Sequence, residues 1–158
     1  MRSSGALGRT GVVALVCALL AVAALLAAGQ VRRLSRQDAT LRNLQDLARV
    51  FIIEGAGLPG YSFATSEDAV RALVEAGHLK PEQTVSRATG RALVLAPITL
   101  AGPDEVRASA AKDPRTVLAY EALPAGASRG CVLFADGHGE CVRADPYRAM
   151  VGGGIMNP

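Results

Sequence analysis

The residues best suited to chemistry cluster near the C-terminus, in "CVLFADGHGEC", where Cys131 and Cys141 flank Asp136, Gly137 and His138. Two thiols, a carboxylate and an imidazole this close together suit a metal site, a redox pair, a catalytic loop or a stapled hairpin. A zinc site needs about four Cys or His ligands, commonly as closely spaced pairs. Apart from Cys17 in the apolar N-terminal stretch, the chain offers only Cys131, Cys141, His138 and the distant His78. A redox site of the usual kind needs Cys-x-x-Cys, which is missing. Nucleophilic catalysis at His138 needs a Ser or Cys and an orienting acid around it, and there is no Gly-x-Ser-x-Gly. No metal, cofactor or catalytic residue is therefore expected; Asp136 and Gly137 read as a turn, and His138 as the start of the return strand.

The register of that turn decides what the cysteines do. If Ala135, Asp136 and Gly137 form a three-residue loop with Gly137 left-handed, Phe134 faces His138 and Cys131 faces Cys141. Cross-strand Cβ atoms then stand about 4.5–5.5 Å apart, near disulfide range. A two-residue Asp136-Gly137 turn instead sets Val132 opposite Cys141. Cys131–Cys141 is a candidate disulfide, favoured if this part of the chain is exported to an oxidising compartment.

The elements that must position this hairpin begin with "GVVALVCALLAVAALLAAG", residues 11–29, which carries no charged side chain. As a helix rising about 1.5 Å per residue it spans roughly 30 Å of hydrocarbon. Arg2 and Arg9 precede it and Arg32, Arg33 and Arg36 follow. A cleaved secretory signal would use the small residues at 21–23 or 27–28, but the apolar run exceeds the usual ~7–15 residues. A lipidated Cys17 lacks the small residue expected before it. The segment reads as a retained anchor in contact with lipid.

The basic pI, about 9.0, belongs to the flanks of that segment. Five of the 17 Lys and Arg precede the first acid, Asp38; the rest of the chain holds 12 bases against 14 acids, a net of −2. No nucleic-acid partner is expected.

Helical patterning continues past the anchor. Leu34, Leu41, Leu44, Ala48 and Phe51 recur at helical spacings between charged residues, until Gly55 and Gly57 supply a stop. These five residues are expected to seat a globular head. After the turn-rich "LPGYSF", Thr65 or Ser66 caps a short second helix that ends at Gly77, with Val70, Leu73 and Val74 as its buried stripe. "RALVLAPITL" (91–100) and "RTVLAYEAL" (115–123) read as short strands, and the "GPDEVRASAAKDP" between them as a loop or one poor helical turn. The hairpin supplies the last strands.

The hydrophobic helix running into "LRNLQDLARVFIIEGAGLPG", and the late "DPRTVLAYEALPAG" and "GCVLFADGHGECV", resemble bacterial type IV pilin-like proteins of the type II secretion class. The similarity is greatest to the prepilin-like branch that ends in a "VLFADGH" strand-turn-strand, and "LAYE" and "VLFADGH" are its specific tracts. The resemblance implies leader cleavage after Gly8 or Gly11, although the fifth mature residue would then be Val13 or Val16 where the family carries Glu. It also implies that the helices pack together as a fibre core. Calcium bound by some members' head loops would here draw on "GPDE" with Asp113, a loop otherwise read as solvated charge.

The expected fold is α+β: a long N-terminal helix with a membrane-spanning first half and an amphipathic second half, a short second helix, and a small antiparallel β-sheet ending in a hairpin. Its expected parts are a basic leader (1–11), a transmembrane helix (12–29), its amphipathic extension (30–54), a globular head (55–148) and a flexible tail (149–158). The expected function is that of a non-enzymatic pseudopilin, single-pass in a bacterial inner membrane with a periplasmic head. Its partners would be other pilin-like subunits, an inner-membrane assembly platform and membrane lipid. The alternative is a solitary single-pass or secreted binding module with no assembly role; an extracytoplasmic enzyme built around His138 ranks last.

Overall fold

The structure, a computed structural model, describes residues 4–53 and 63–152, with side chains described from residue 12 on. The expected helix stop at Gly55 and Gly57, the connector up to residue 62, and the tail from residue 153 lie outside the described residues. The chain divides into two units, 1–35 and 36–158.

The first unit is helical from Ser4, as the start of α1 (Ser4–Ile53). Ala, Leu and Val dominate it, and every residue from 12 to 35 is exposed. Among the described residues α1 is the one helix long and apolar enough to cross a membrane.

The second unit is an α+β head. It contains the second half of α1, α2 (Ser66–Glu75), β1 (Leu93–Leu95), α3 (Pro97–Leu100), α4 (Pro103–Lys112), β2 (Val117–Glu121), β3 (Arg129–Phe134), β4 (Gly139–Arg143) and α5 (Ala144–Gly152). The four strands form one antiparallel sheet in the order β1-β2-β3-β4. Thr65 caps α2 by accepting the Asp68 N–H at 3.2 Å, which supplies an acceptor to one of the four unpaired donors of the first turn.

Strand β3 is apolar along nearly its whole length because both of its faces are covered. Cys131 and Leu133 point into a core made with Leu44, Leu47, Ala48 and Phe51 of α1 and Ala69 and Leu73 of α2. Val132 and Phe134 point the other way, onto Tyr147 of α5. This period-two alternation makes the head three layers deep: helices, sheet, helix.

Three local expectations are corrected. The strand read over 91–100 is only Leu93–Leu95, because Pro97 has no N–H to extend the ladder; it starts α3 instead. The stretch 102–114, read as a loop or one poor helical turn, contains a ten-residue helix, α4, with Pro103 at its start, Asp104 and Glu105 in its first turn and Lys112 in its last. Residues 149–152, read as flexible tail, complete α5, whose Met150 and Val151 lie against the second core.

Candidate assembly helix and the polar clasp that seats it

In the first unit the large apolar side chains of α1 face outward on every side, from Val16 at 48% exposure to Leu25 at 74%. Such a surface suits lipid or other helices, not water. Gly8 and Gly11 lie in the opening turns of this helix.

In the second unit α1 has one buried face. Leu44, Leu47 and Phe51 are fully buried and Ala48 nearly so, while Leu41 is half-buried. The tilted ring of Phe63 stands 5.8 Å from that of Phe51. Leu34, expected to help seat the head, is instead 55% exposed. It lies a full two turns before Leu41, and α1 enters the core only at Thr40. The buried face at Thr40, Leu44, Leu47 and Phe51 follows spacings of four, three and four. Leu47 was within reach of sequence reasoning by that rule; Thr40, being polar, was not.

Thr40 belongs to a buried polar cluster with no sequence signature. The hydroxyls of Thr40 and Ser86 are 3.2 Å apart. Ser86 donates to Glu121 Oε1 at 2.5 Å and Thr89 donates to the same oxygen at 2.7 Å. The Cys131 N–H donates to Glu121 Oε2 at 3.2 Å. Glu121 is only 1% exposed, and among the described residues it forms no ion pair. The N–H groups of Ala88 and Thr89 close the loop by donating to Ser86 Oγ, both at 3.1 Å. Beside the cluster, Asn43 donates to the carbonyls of Glu82 and Val85 at 3.1 and 2.9 Å. A carboxylate accepting from two hydroxyls and one amide substitutes for the solvation it loses on burial. The cluster ties the α1 helix, the 86–90 loop and two adjacent strands together.

The hairpin takes the three-residue register. Gly137 is left-handed at φ +81° and donates to the Phe134 carbonyl at 3.0 Å, while the Phe134 N–H donates to His138 O at 2.9 Å. Asp136 Oδ1 accepts the His138 N–H at 2.8 Å. Since 134 and 138 exchange that bond, Cys131 and Cys141 fall at a non-hydrogen-bonded pair, where strands approach most closely. Their Cα atoms are 3.9 Å apart and they form a disulfide. The His138 ring lies parallel to Phe134, with centroids 6.3 Å apart, and Arg115 covers Phe134 at 5.1 Å while pairing with Glu140 at 2.6 Å. Gln45 of α1 donates to the Gly137 carbonyl at 3.3 Å, so the turn also contacts the helix.

Among the described residues no three His, Cys, Asp or Glu side chains come together. Of the candidate oxygen ligands, Asp104 pairs with Arg107 at 3.0 Å, and Asp113 accepts the Arg115 N–H at 2.8 Å. On the far face of the sheet, burial pushes the Tyr147 phenol well above its usual range, helped by the charge of Glu121 and by Tyr120; burial also raises Tyr120. The Tyr147 hydroxyl donates to the Glu121 carbonyl. No protein-family model matches this chain, and neither the curated proteins nor the solved structures give a significant match.

Proposed function

We propose that the protein is a membrane-anchored, pilin-like structural subunit, a pseudopilin of a type II secretion or type IV pilus-like apparatus, with no catalysis of its own. The observation that carries this reading is the contrast along α1: apolar from residue 11 to 29 and exposed on all sides from residue 12 to 36, then buried on one face from Thr40 to Phe51. The two tracts that resemble the pilin-like class, "LAYE" and "VLFADGH", coincide with the buried Glu121 and with the disulfide-bonded hairpin. The disulfide supports a head on the oxidising side of a bacterial inner membrane, the periplasm. Partners in this reading are other pilin-like subunits, an inner-membrane platform and lipid, with no nucleic acid.

The test is the N-terminal sequence and mass of the protein purified from its own membrane. A start at Arg9 or Val12, with or without N-methylation, is the expected result. A start near Ala24 or Gly29 would make it a secreted domain and end this reading. An intact Met1 would leave a solitary single-pass protein with no assembly role.

A further inference from the structure

A groove of about 820 Å³ runs along the outer side of α2, between that helix and the edge of the sheet at β1. Its floor is apolar, made by Val70, Val74, Pro81 and Leu93. Along its rim Glu67, Arg71 and Glu75 follow each other at single-turn spacing. Arg71 is held by Asp68, whereas neither glutamate has an ion-pair partner among the described residues. The groove is thus an apolar slot edged by two unpaired carboxylates, and it fits an apolar segment carrying positive charge.

Such a segment lies in α1. Val31 and Leu34, three residues apart and so on one side of α1, are 66% and 55% exposed. Arg32, Arg33 and Arg36 surround them, all exposed, and no acidic residue precedes Asp38. An apolar span of roughly 18 residues from Val12 crosses about 27 Å, so residues 31–36 begin beyond the hydrocarbon, where two bare aliphatic side chains need cover.

We propose that the α2 groove receives residues 31–36 of a second copy of this chain, with Val31 and Leu34 on its floor and the arginines against Glu67 and Glu75. This rests on the self-assembly proposed above and assigns it a specific head-to-stem contact.

Two differently tagged copies of the full chain, both carrying Cys17→Ser, are co-expressed in membranes, one with Leu34→Cys and the other with Ala92→Cys, an exposed residue lining the groove. A short bismaleimide, which spares the Cys131–Cys141 disulfide, is expected to give a heterodimer. Pairing Leu34→Cys with Ala108→Cys on α4 is expected to give none. Glu67→Lys with Glu75→Lys, or raised salt, is expected to lower the yield severalfold. If the tagged copies co-purify but the 34–92 pair yields no more product than the 34–108 pair, the docking is overturned while self-assembly stands. Capture of lipid or of another protein at residue 92 overturns it equally. If the copies do not co-purify at all, the self-assembly fails, and the docking with it.

Discussion

The hydroxyls of Thr40 on α1 and Ser86 in the 86–90 loop lie 3.2 Å apart, at the end of a chain of hydrogen bonds that leads to the carboxylate of Glu121. All three residues are buried to within 1% exposure. Their geometry fixes α1 to the sheet at one height and one rotation, which apolar contacts alone specify less sharply. Glu121→Ala leaves the buried N–H of Cys131 without its acceptor and takes the shared acceptor from the hydroxyls of buried Ser86 and half-buried Thr89. The expected loss is about 3 kcal/mol or more. Thr40→Val removes one link while Ala88 N–H keeps Ser86 as acceptor, and about 1 kcal/mol is expected. Urea unfolding of the detergent-solubilised full chain measures both; equal losses would show that the carboxylate is not the centre of the cluster.

The disulfide closes a short loop, with Cys131 and Cys141 separated by 10 residues. Chain-entropy arguments assign a cross-link of that span about 2–3 kcal/mol, acting through the unfolded state. Cys131→Ala with Cys141→Ala is expected to lower the urea midpoint accordingly and to abolish its sensitivity to dithiothreitol. A midpoint unchanged by reductant in the parent protein would mean that the hairpin holds its register through the Gly137 turn and the β3–β4 ladder alone.

These two features differ in how far the sequence disclosed them. Local rules narrowed the hairpin to two registers, since Asp136-Gly137 between two apolar runs permits few turns, and one of the two sets Cys131 opposite Cys141. The α1 and α2 helices were legible from periodicity and capping. Glu121 was not: an acid at the end of "VLAYE" looks like an ordinary solvent-facing strand residue, and its burial depends on Ser86 and Thr40, 35 and 81 positions away. The α5 helix carried a signal that went unused, Pro146 at a helix start followed by Tyr147, Met150 and Val151 at i, i+3 and i+4. The α4 helix had flanking charges but only Val106 buried, so no apolar stripe announced it.

At Gly130 strand β3 lies close against Tyr147 of α5. A Cβ built there would stand 2.6 Å from ring carbons of Tyr147 and 2.9 Å from Leu123 Cδ1. Gly130→Ala must therefore displace the tyrosine, with an expected cost of about 1–3 kcal/mol. Because Tyr147 anchors α5 to the second core, limited proteolysis of this variant is expected to cut between residues 144 and 152 well before the rest of the head. Tyr147→Phe keeps the ring and loses only the hydrogen bond to the Glu121 carbonyl, about 1 kcal/mol, without new cleavage. If Gly130→Ala is as resistant as the parent, α5 is not held by this contact.

Tyr147 and Tyr120 also set a limit to alkaline stability. Burial raises both phenols above the usual 10.0, with the Glu121 charge adding to the shift at Tyr147. In the folded head they stay protonated at a pH where the unfolded chain has already released these protons. The unfolded state therefore binds fewer protons, and the free energy of unfolding falls as pH rises. The contribution is complete below about pH 10 and is lost progressively as pH climbs toward the folded values. Stability is thus expected to be flat with respect to tyrosine ionisation up to about pH 9 and to decline beyond about pH 10. Phenolate absorbance should rise together with unfolding. Tyr147→Phe should flatten the decline, because only Tyr120 of the pair still titrates. Measurements must be completed quickly, since thiolate-driven disulfide exchange accelerates in the same range. A Tyr147→Phe chain whose alkaline decline matches the parent in slope would show that this phenol ionises freely in the folded head.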